Sequence, residues 1–275
     1  MRKIRAFCIL AASFVLSLSI LISNSYAYES YPDLSSRKRF EGRRYILDVP
    51  SREHSRKRRP LIIFLHGAMG NARGVKRNLN ADMRPIIEKY GVMVAYMNGN
   101  PIPLLPRRGT WNAGTCCGTS EAENIDDVGF IDRFIKHAVR RLHADPGRVY
   151  LMGHSNGAMM AYRYACEHPR KVAAIVTISG TVMTRRCRPS GLKGVLHIHG
   201  ESDETVPIRG GLVKRFRKEN NFTSVSDTKR LMSKSGVPFK FIPLEDVGHG
   251  LRDINSAVNI PITAWRFFST KTQPR

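Results

Sequence analysis

Five short apolar runs constrain this chain more than any other feature. They are "PLIIFLHG" (60–67), "GVMVAYMNG" (91–99), "RVYLMG" (148–153), "KVAAIVTISG" (171–180) and "GVLHIHG" (194–200). Each is apolar at neighbouring positions rather than at every second one, the pattern of a strand covered on both faces. Helical patterns separate them. Residues 76–90 place Met83, Ile86, Ile87 and Tyr90 on one face. A helix over roughly 127–143, capped by Asp126 or Asn124, carries Phe130, Phe134, Ile135, Ala138 and Leu142. Another follows residue 155 to about His168 and stops at Pro169. A charged helix over 224–234, a last strand and its loop over 239–250, and an amphipathic helix over 257–269 complete the pattern. "RRYILDVP" (43–50) alternates as a further strand, "DPG" (145–147) reads as a turn, and 100–123 is a long structured loop. Apolar strands alternating with helices predict one α/β domain, a mostly parallel sheet with helices on both faces.

The catalytic expectation comes from "YLMGHSNGAMMAY" (150–162). Here Gly-x-Ser-x-Gly sits between a buried strand and a helix. Gly153 and Gly157 permit a very tight turn, and Ser155 is pushed out above the sheet edge with a helix N-terminus behind it. The pattern alone is common; at a strand-to-helix corner of a parallel sheet it marks a nucleophile. A serine hydroxyl needs a base, and in this arrangement the acid and then the histidine follow in the chain. His249, in "DVGHGLRD" just past the last strand, is the expected base. Asp203, in "HIHGESDETVP", is the expected acid, with Glu201 and Glu204 as rivals on the same loop. His154 is expected to point away from the catalytic face, His197 to be packed, and His199 to be structural. The oxyanion donors are expected to be the backbone N–H groups of Asn156 and of Ala68, with Met69 as the alternative to the latter.

The N-terminus predicts export. A basic start, the apolar run "AFCILAASFVLSLSILI", and Ser25 and Ala27 before a cleavage point read as a signal peptide over 1–27. Residues 28–42 read as a loose lead-in and 43–275 as the catalytic domain. No later stretch reaches the length of a membrane span. Without Cys8, four cysteines remain: Cys116, Cys117, Cys166 and Cys187. An even number in an exported protein points to disulfides, with three possible pairings. Cys116 with Cys117 is disfavoured, because adjacent residues bridge only with strain. No metal-ligand spacing is present, and neither metal nor organic cofactor is expected.

Net charge is +23, and near +20 once Arg2, Lys3 and Arg5 are removed with the signal peptide. Basic clusters at 36–44, 51–60 and 214–220 would attract an anionic envelope surface or a polyanionic polymer. The plainer alternative is a solvated basic surface. Nucleic acid is not expected, because aromatics are not interleaved and no binding module is visible.

Several stretches resemble the polyhydroxybutyrate depolymerase and feruloyl esterase-like family of secreted α/β-hydrolases. They are "LHG" (65–67), "TWNAGTCCG" (110–118), "DDVGFI" (126–131), "GHSNGAMMAYRYAC" (153–166) and "LHIHGESDETVP" (196–207). The resemblance spans residues 43 to about 267. It implies hydrolysis of carboxylic esters by Ser155, Asp203 and His249, with Trp111 and Asn112 near the active-site mouth. Asp126 and Asp127 read as helix-starting structure. Two departures touch the substrate. Leu251 and Arg252 stand where the family often has an aromatic wall beside the base, and Ala68 stands where it often has Cys. Neither a Ser/Thr-rich linker nor a second domain is expected, which argues against efficient attack on crystalline polyester. The expected substrates are hydroxyacyl oligoesters, or aryl or acetyl esters on polysaccharide. The rivals are an acyltransferase on the same fold and a non-catalytic, basic envelope-binding protein.

Overall fold

The computed structural model describes residues 35–51, 57–215 and 218–274, except the side chains of Arg215 and Lys218. The 1–27 signal-peptide segment and residues 28–34 of the lead-in lie outside the described residues. The chain enters the sheet earlier than residue 43. Strand β1 (Ser36–Phe40) pairs antiparallel with β2 (Arg43–Asp48). Glu41 and Gly42 make the two-residue turn between them, both at positive φ (45° and 77°), as a hairpin matched to strand twist requires. The loose lead-in is thus corrected: its last residues form the polar edge strand.

β3 (Arg59–Leu65) leads to helix α1 (Ala72–Tyr90) and β4 (Met93–Met97). A small hairpin, β5 (Asn100–Ile102) and β6 (Leu105–Thr110), precedes α2 (Gly118–Ala122) and α3 (Asp127–Arg141). Asp126 caps α3 by accepting from the Gly129 amide at 2.8 Å. β7 (Ala144–His154) runs straight through 145–147, where the sequence suggested a turn. Its β3 pairing shifts register between Arg59 and Leu61, and this irregularity absorbs the Asp-Pro-Gly segment. Helix α4 (Asn156–Glu167), β8 (Ala174–Ile178) and β9 (Val195–Gly200) follow. The hairpin of β10 (Gly211–Arg215) and β11 (Lys218–Phe222) leads to α5 (Val225–Lys234) and β12 (Phe239–Leu244). The closing segment is two helices, α6 (Leu251–Val258) and α7 (Ile260–Phe268), rather than one. Asn259 separates them at φ 42°, ending α6 and capping α7 by accepting from the Ile262 amide.

The main sheet has strand order β1-β2-β4-β3-β7-β8-β9-β12, parallel from β4 to β12. Alternate residues of β3 feed two cores. Leu61, Ile63 and Leu65 pack with α3 and α4, whereas Ile62 and Phe64 pack with α1 and α7. That is why the runs read as apolar at neighbouring positions. Among the described residues no helix is long and apolar enough to cross a membrane.

Two disulfides are present. Cys166 pairs with Cys187, and Cys116 pairs with Cys117. The second corrects the sequence expectation. Backbone hydrogen bonds from Ala113 to Cys116 (2.6 Å) and from Thr115 to Met183 (2.8 Å) hold the surrounding turn, so the fold itself brings the neighbouring thiols together.

Candidate active site

Ser155 stands between the end of β7 and the start of α4 with φ 54° and ψ −123°, a region a non-glycine residue enters only when its surroundings impose it. The surroundings are backbone. A Cβ at Gly157 would run into the Leu65 and His66 carbonyls, and one at Gly153 into the backbone of Gly157 and Ala158. The two glycines therefore serve close approach, and the positive φ falls on the serine. The Ser155 amide is fixed by the Ile178 carbonyl at 2.8 Å.

Asp203 lies in the turn after β9 and His249 in the loop between β12 and α6. The Glu201 amide bonds the Leu244 carbonyl (2.9 Å) and the Ser202 amide the Val247 carbonyl (3.1 Å), which ties the two loops together. His249 Nε2 is 2.9 Å from Ser155 Oγ, and His249 Nδ1 is 2.7 Å from Asp203 Oδ2. Asp203 is buried, and its Oδ1 accepts the amides of Thr205 (2.9 Å) and Val206 (2.8 Å). Burial pushes its pKa up. Hydrogen bonds from His199, His249 and the Val206 amide outweigh that and hold the carboxyl well below its usual range. The rivals Glu201 and Glu204 are exposed.

His197 is packed and His199 buried, as the sequence suggested, but both join a polar series that ends on Asp203. His199 Nε2 lies 2.8 Å from the Val206 carbonyl and 3.2 Å from Asp203 Oδ2. Both oxygens accept, so Nε2 carries the proton. His199 Nδ1 then accepts from His197 Nε2 at 2.9 Å. His197 Nδ1 in turn faces Thr177 Oγ1 (2.9 Å) and the Tyr162 hydroxyl (3.0 Å). All four residues are buried. Burial, then the neighbouring His199, lowers the His197 pKa well below the ordinary value, which keeps that ring neutral. A one-directional series of donors thus runs from Thr177 through Tyr162, His197 and His199 to Asp203. His154 corrects its expectation: its ring packs 4.9 Å from that of His249, and its Nε2 donates to the His249 carbonyl at 2.8 Å.

At the end of β3, His66 Nδ1 donates to the Gly67 carbonyl (2.7 Å), and its Nε2 accepts the Gly99 amide (2.9 Å). Burial lowers its pKa to about 4. The turn that follows holds the two alternative amides. Met69 donates to the Gly109 carbonyl at 2.9 Å, so its N–H is occupied. The N–H groups of Ala68 and Asn156 have no protein acceptor among the described residues.

Trp111 and Asn112 do not line an open mouth. Trp111 is fully buried; its indole donates to the His66 carbonyl (3.0 Å), and its backbone exchanges two hydrogen bonds with the Asn156 side chain (2.8 and 2.9 Å). Asn112 is buried too, its side chain bonded to Asn124 and the Ile125 carbonyl, its amide to Asp127 Oδ2 at 2.7 Å. Asp127 also pairs with Arg43 at 2.5 Å. Leu251 is packed among Ile254, Trp265 and their neighbours, because it starts α6 on the face turned to the core. Only Arg252 of this group is exposed. Among the described residues no cluster of histidine, cysteine or carboxylate side chains could hold a metal ion.

The family model described as Phospholipase/Carboxylesterase matches residues 51–235. "Probable feruloyl esterase C" of Aspergillus flavus is 30% identical over 282 residues, covering 94% of this chain and 97% of that protein. "Feruloyl esterase B" of Piromyces equi is 29% identical over 175 residues, covering 62% of this chain. The chain spans only 31% of that protein's length, and 42% of a relative in Nocardia uniformis subsp. tsuyamanensis. Among solved structures, an S-formylglutathione hydrolase from Agrobacterium tumefaciens superposes with TM-score 0.64 over 86% of this chain and 94% of its own, at 11% identity. At that identity the likeness concerns the fold. The chain belongs to the phospholipase/carboxylesterase family of α/β-hydrolases.

Proposed function

We propose that Ser155, His249 and Asp203 are the catalytic triad of this hydrolase. The observation that carries the reading is the unbroken hydrogen-bonded series Ser155 Oγ–His249–Asp203 at 2.9 and 2.7 Å. Ser155 Oγ attacks the acyl carbon while His249 Nε2 takes its proton. The tetrahedral oxyanion is received by the amides of Ala68 and Asn156, the second at the α4 N-terminus; one such donor contributes about 10²–10³ in turnover. His249 passes the proton to the leaving alkoxide, then activates the water that cleaves the acyl-enzyme. Asp203, kept ionised by its four donors, holds the His249 tautomer and stabilises the imidazolium. His199 and His154 act through these groups as positioning residues, one on the carboxylate and one on the backbone of the base.

The substrates are esters of hydroxyacyl oligomers or aryl and acetyl esters carried on polysaccharide. The names of the relatives favour the aryl class. Arg252, exposed and close to His249 in the sequence, meets an acidic group of the substrate. Export rests on the sequence of residues 1–27, and an N-terminus at Tyr28 in the exported protein checks it. The substrate test compares methyl ferulate with a soluble 3-hydroxybutyrate oligomer, using wild type and Ser155→Ala. Ser155-dependent turnover of the ferulate supports the aryl reading. Turnover of the oligomer alone moves the assignment to oligoesters, and turnover that survives Ser155→Ala overturns the triad.

A further inference from the structure

A concave site lies at the carboxyl-terminal end of the sheet, the end that carries Ser155. It is a cleft of about 590 Å³ between the β1–β2 edge, the start of α1 and the β5–β6 hairpin, within the size range of ligand sites. Seven arginines line it, Arg37, Arg39, Arg43, Arg44, Arg73, Arg107 and Arg108, and no acidic residue does. Two are engaged within the protein. Arg43 pairs with the buried Asp127 and lies over the Phe130 ring, and Arg108 donates to the Met69 carbonyl at 2.9 Å. The other five are exposed and have no acidic side-chain partner among the described residues. Glu41, the carboxylate of the neighbouring turn, is taken by Arg133 on the other side. The first turn of α1 contains no acidic residue either, so its amide dipoles add to the same potential.

Five guanidinium groups without an acidic partner among the described residues surround one concavity, where they repel one another and focus a positive field. One small anion could meet one or two of them. Groups spread over four elements require a ligand with repeated negative charge. Guanidinium forks match planar carboxylates two bonds at a time. Tyr45, the aromatic residue of the lining, is buried, so the cleft offers no ring for stacking the bases of a nucleic-acid strand. Its concavity suits a single chain better than the flat face of a bilayer. It is also close to Ser155. A Cβ at Gly67 would touch the Ser155 side chain, and Asn71, four residues on, lines the cleft; that stretch spans at most about 14 Å.

We infer that this arginine cleft binds an acidic, carboxylate-bearing polysaccharide and presents the esters it carries to Ser155. The presentation step rests on the ester-hydrolase reading above; the binding step does not. Titration calorimetry separates them. The probes are a galacturonate oligomer, a neutral glucose oligomer of equal length, and phosphatidylglycerol vesicles, applied to wild type and to the triple variant Arg39→Gln, Arg73→Gln, Arg107→Gln. The expected result is binding of the galacturonate oligomer alone. It should weaken about tenfold or more in the variant and weaken as salt rises from about 0.05 to 0.2 M. Turnover of methyl ferulate should be unchanged, which also shows that the variant is folded. Equal affinity of both proteins for the galacturonate oligomer overturns the site, as does equal affinity for the neutral oligomer. Arginine-dependent binding to vesicles but not to the oligomer overturns the polysaccharide and assigns the cleft to a membrane surface. Arginine-dependent oligomer binding without any ferulate turnover in wild type upholds the cleft and overturns presentation instead.

Discussion

Asp203 is the sink of the whole polar arrangement, since every assigned donor from Tyr162 on one side and Ser155 on the other points toward it. His199 therefore tunes the triad without touching substrate. Replacing His199 with Leu removes one of the donors that hold the Asp203 carboxyl low, so the pKa of that carboxyl should rise. The expected outcome is a fall in kcat of about tenfold, a fraction of the 10²–10⁴ that general acid–base catalysis contributes, with little change in KM. The acid limb of the kcat/KM profile should move to higher pH, and His199→Gln, which restores an amide donor, should bring it part of the way back. An unmoved limb would reduce His199 to a packing role. Of the proposed site, Ser155, Asp203 and His249 could be named in advance because the motif and the order along the chain single them out, and the fold brings their side chains together. His199, His197 and His154 could not be. Their significance lies in partners brought in by β8, by α4 and by the loop after β12, and a histidine inside an apolar run carries no mark of its partner. Trp111 and Asn112 were misplaced for the converse reason. The resemblance singled out the segment, and the fold buries it against His66 and Asn156.

The elements themselves followed from periodicity, and the misses cluster where one residue changes the backbone. The apolar stripe runs unbroken across 257–269, so nothing in it announced that Asn259 adopts a left-handed conformation and divides α6 from α7. Asn259→Ala loses both that tolerated conformation and the cap on Ile262. A destabilisation of about 1–2 kcal/mol in urea is expected, and an unchanged midpoint would contradict the double role. β1 escaped because its residues are polar or charged except Phe40, which packs on Phe130 and Phe134. An edge strand needs no alternating burial, and charge there protects the edge. The Cys166–Cys187 bridge closes 21 residues of separation between the end of α4 and the loop before β9. Its removal by the double Ser variant should cost about 3 kcal/mol, read as a lower melting temperature and as a smaller further drop on added reductant than wild type shows.

The molecule as a whole is a catalytic sheet end carrying a strongly basic surface, and its response to pH follows from its buried rings. In the folded state His66 is held at a pKa of about 4, against about 6.5 for a free imidazole. Its folded pKa is depressed, so the unfolded chain binds the proton first. The stability it contributes is full above about pH 6.5 and is lost progressively as pH falls toward 4, amounting to about 2 kcal/mol by pH 5. His197, shifted in the same direction, adds to the loss. The melting temperature should fall steadily from pH 7 to pH 4.5; a flat profile would mean that these rings are not neutral and buried. Layer order and the sheet were legible because burial on both faces writes itself into consecutive residues. The arginine cleft was legible only as charge, since its arginines come from segments up to seventy residues apart. The central claim, that Ser155 is the nucleophile of an ester hydrolase, is tested most directly by reaction with a fluorophosphonate followed by peptide mass analysis. The account predicts one adduct per chain, on Ser155, with ester turnover lost in proportion, and no adduct when His249 is replaced by Ala. An adduct on another residue, or full ester turnover in protein that is labelled at Ser155, would contradict it.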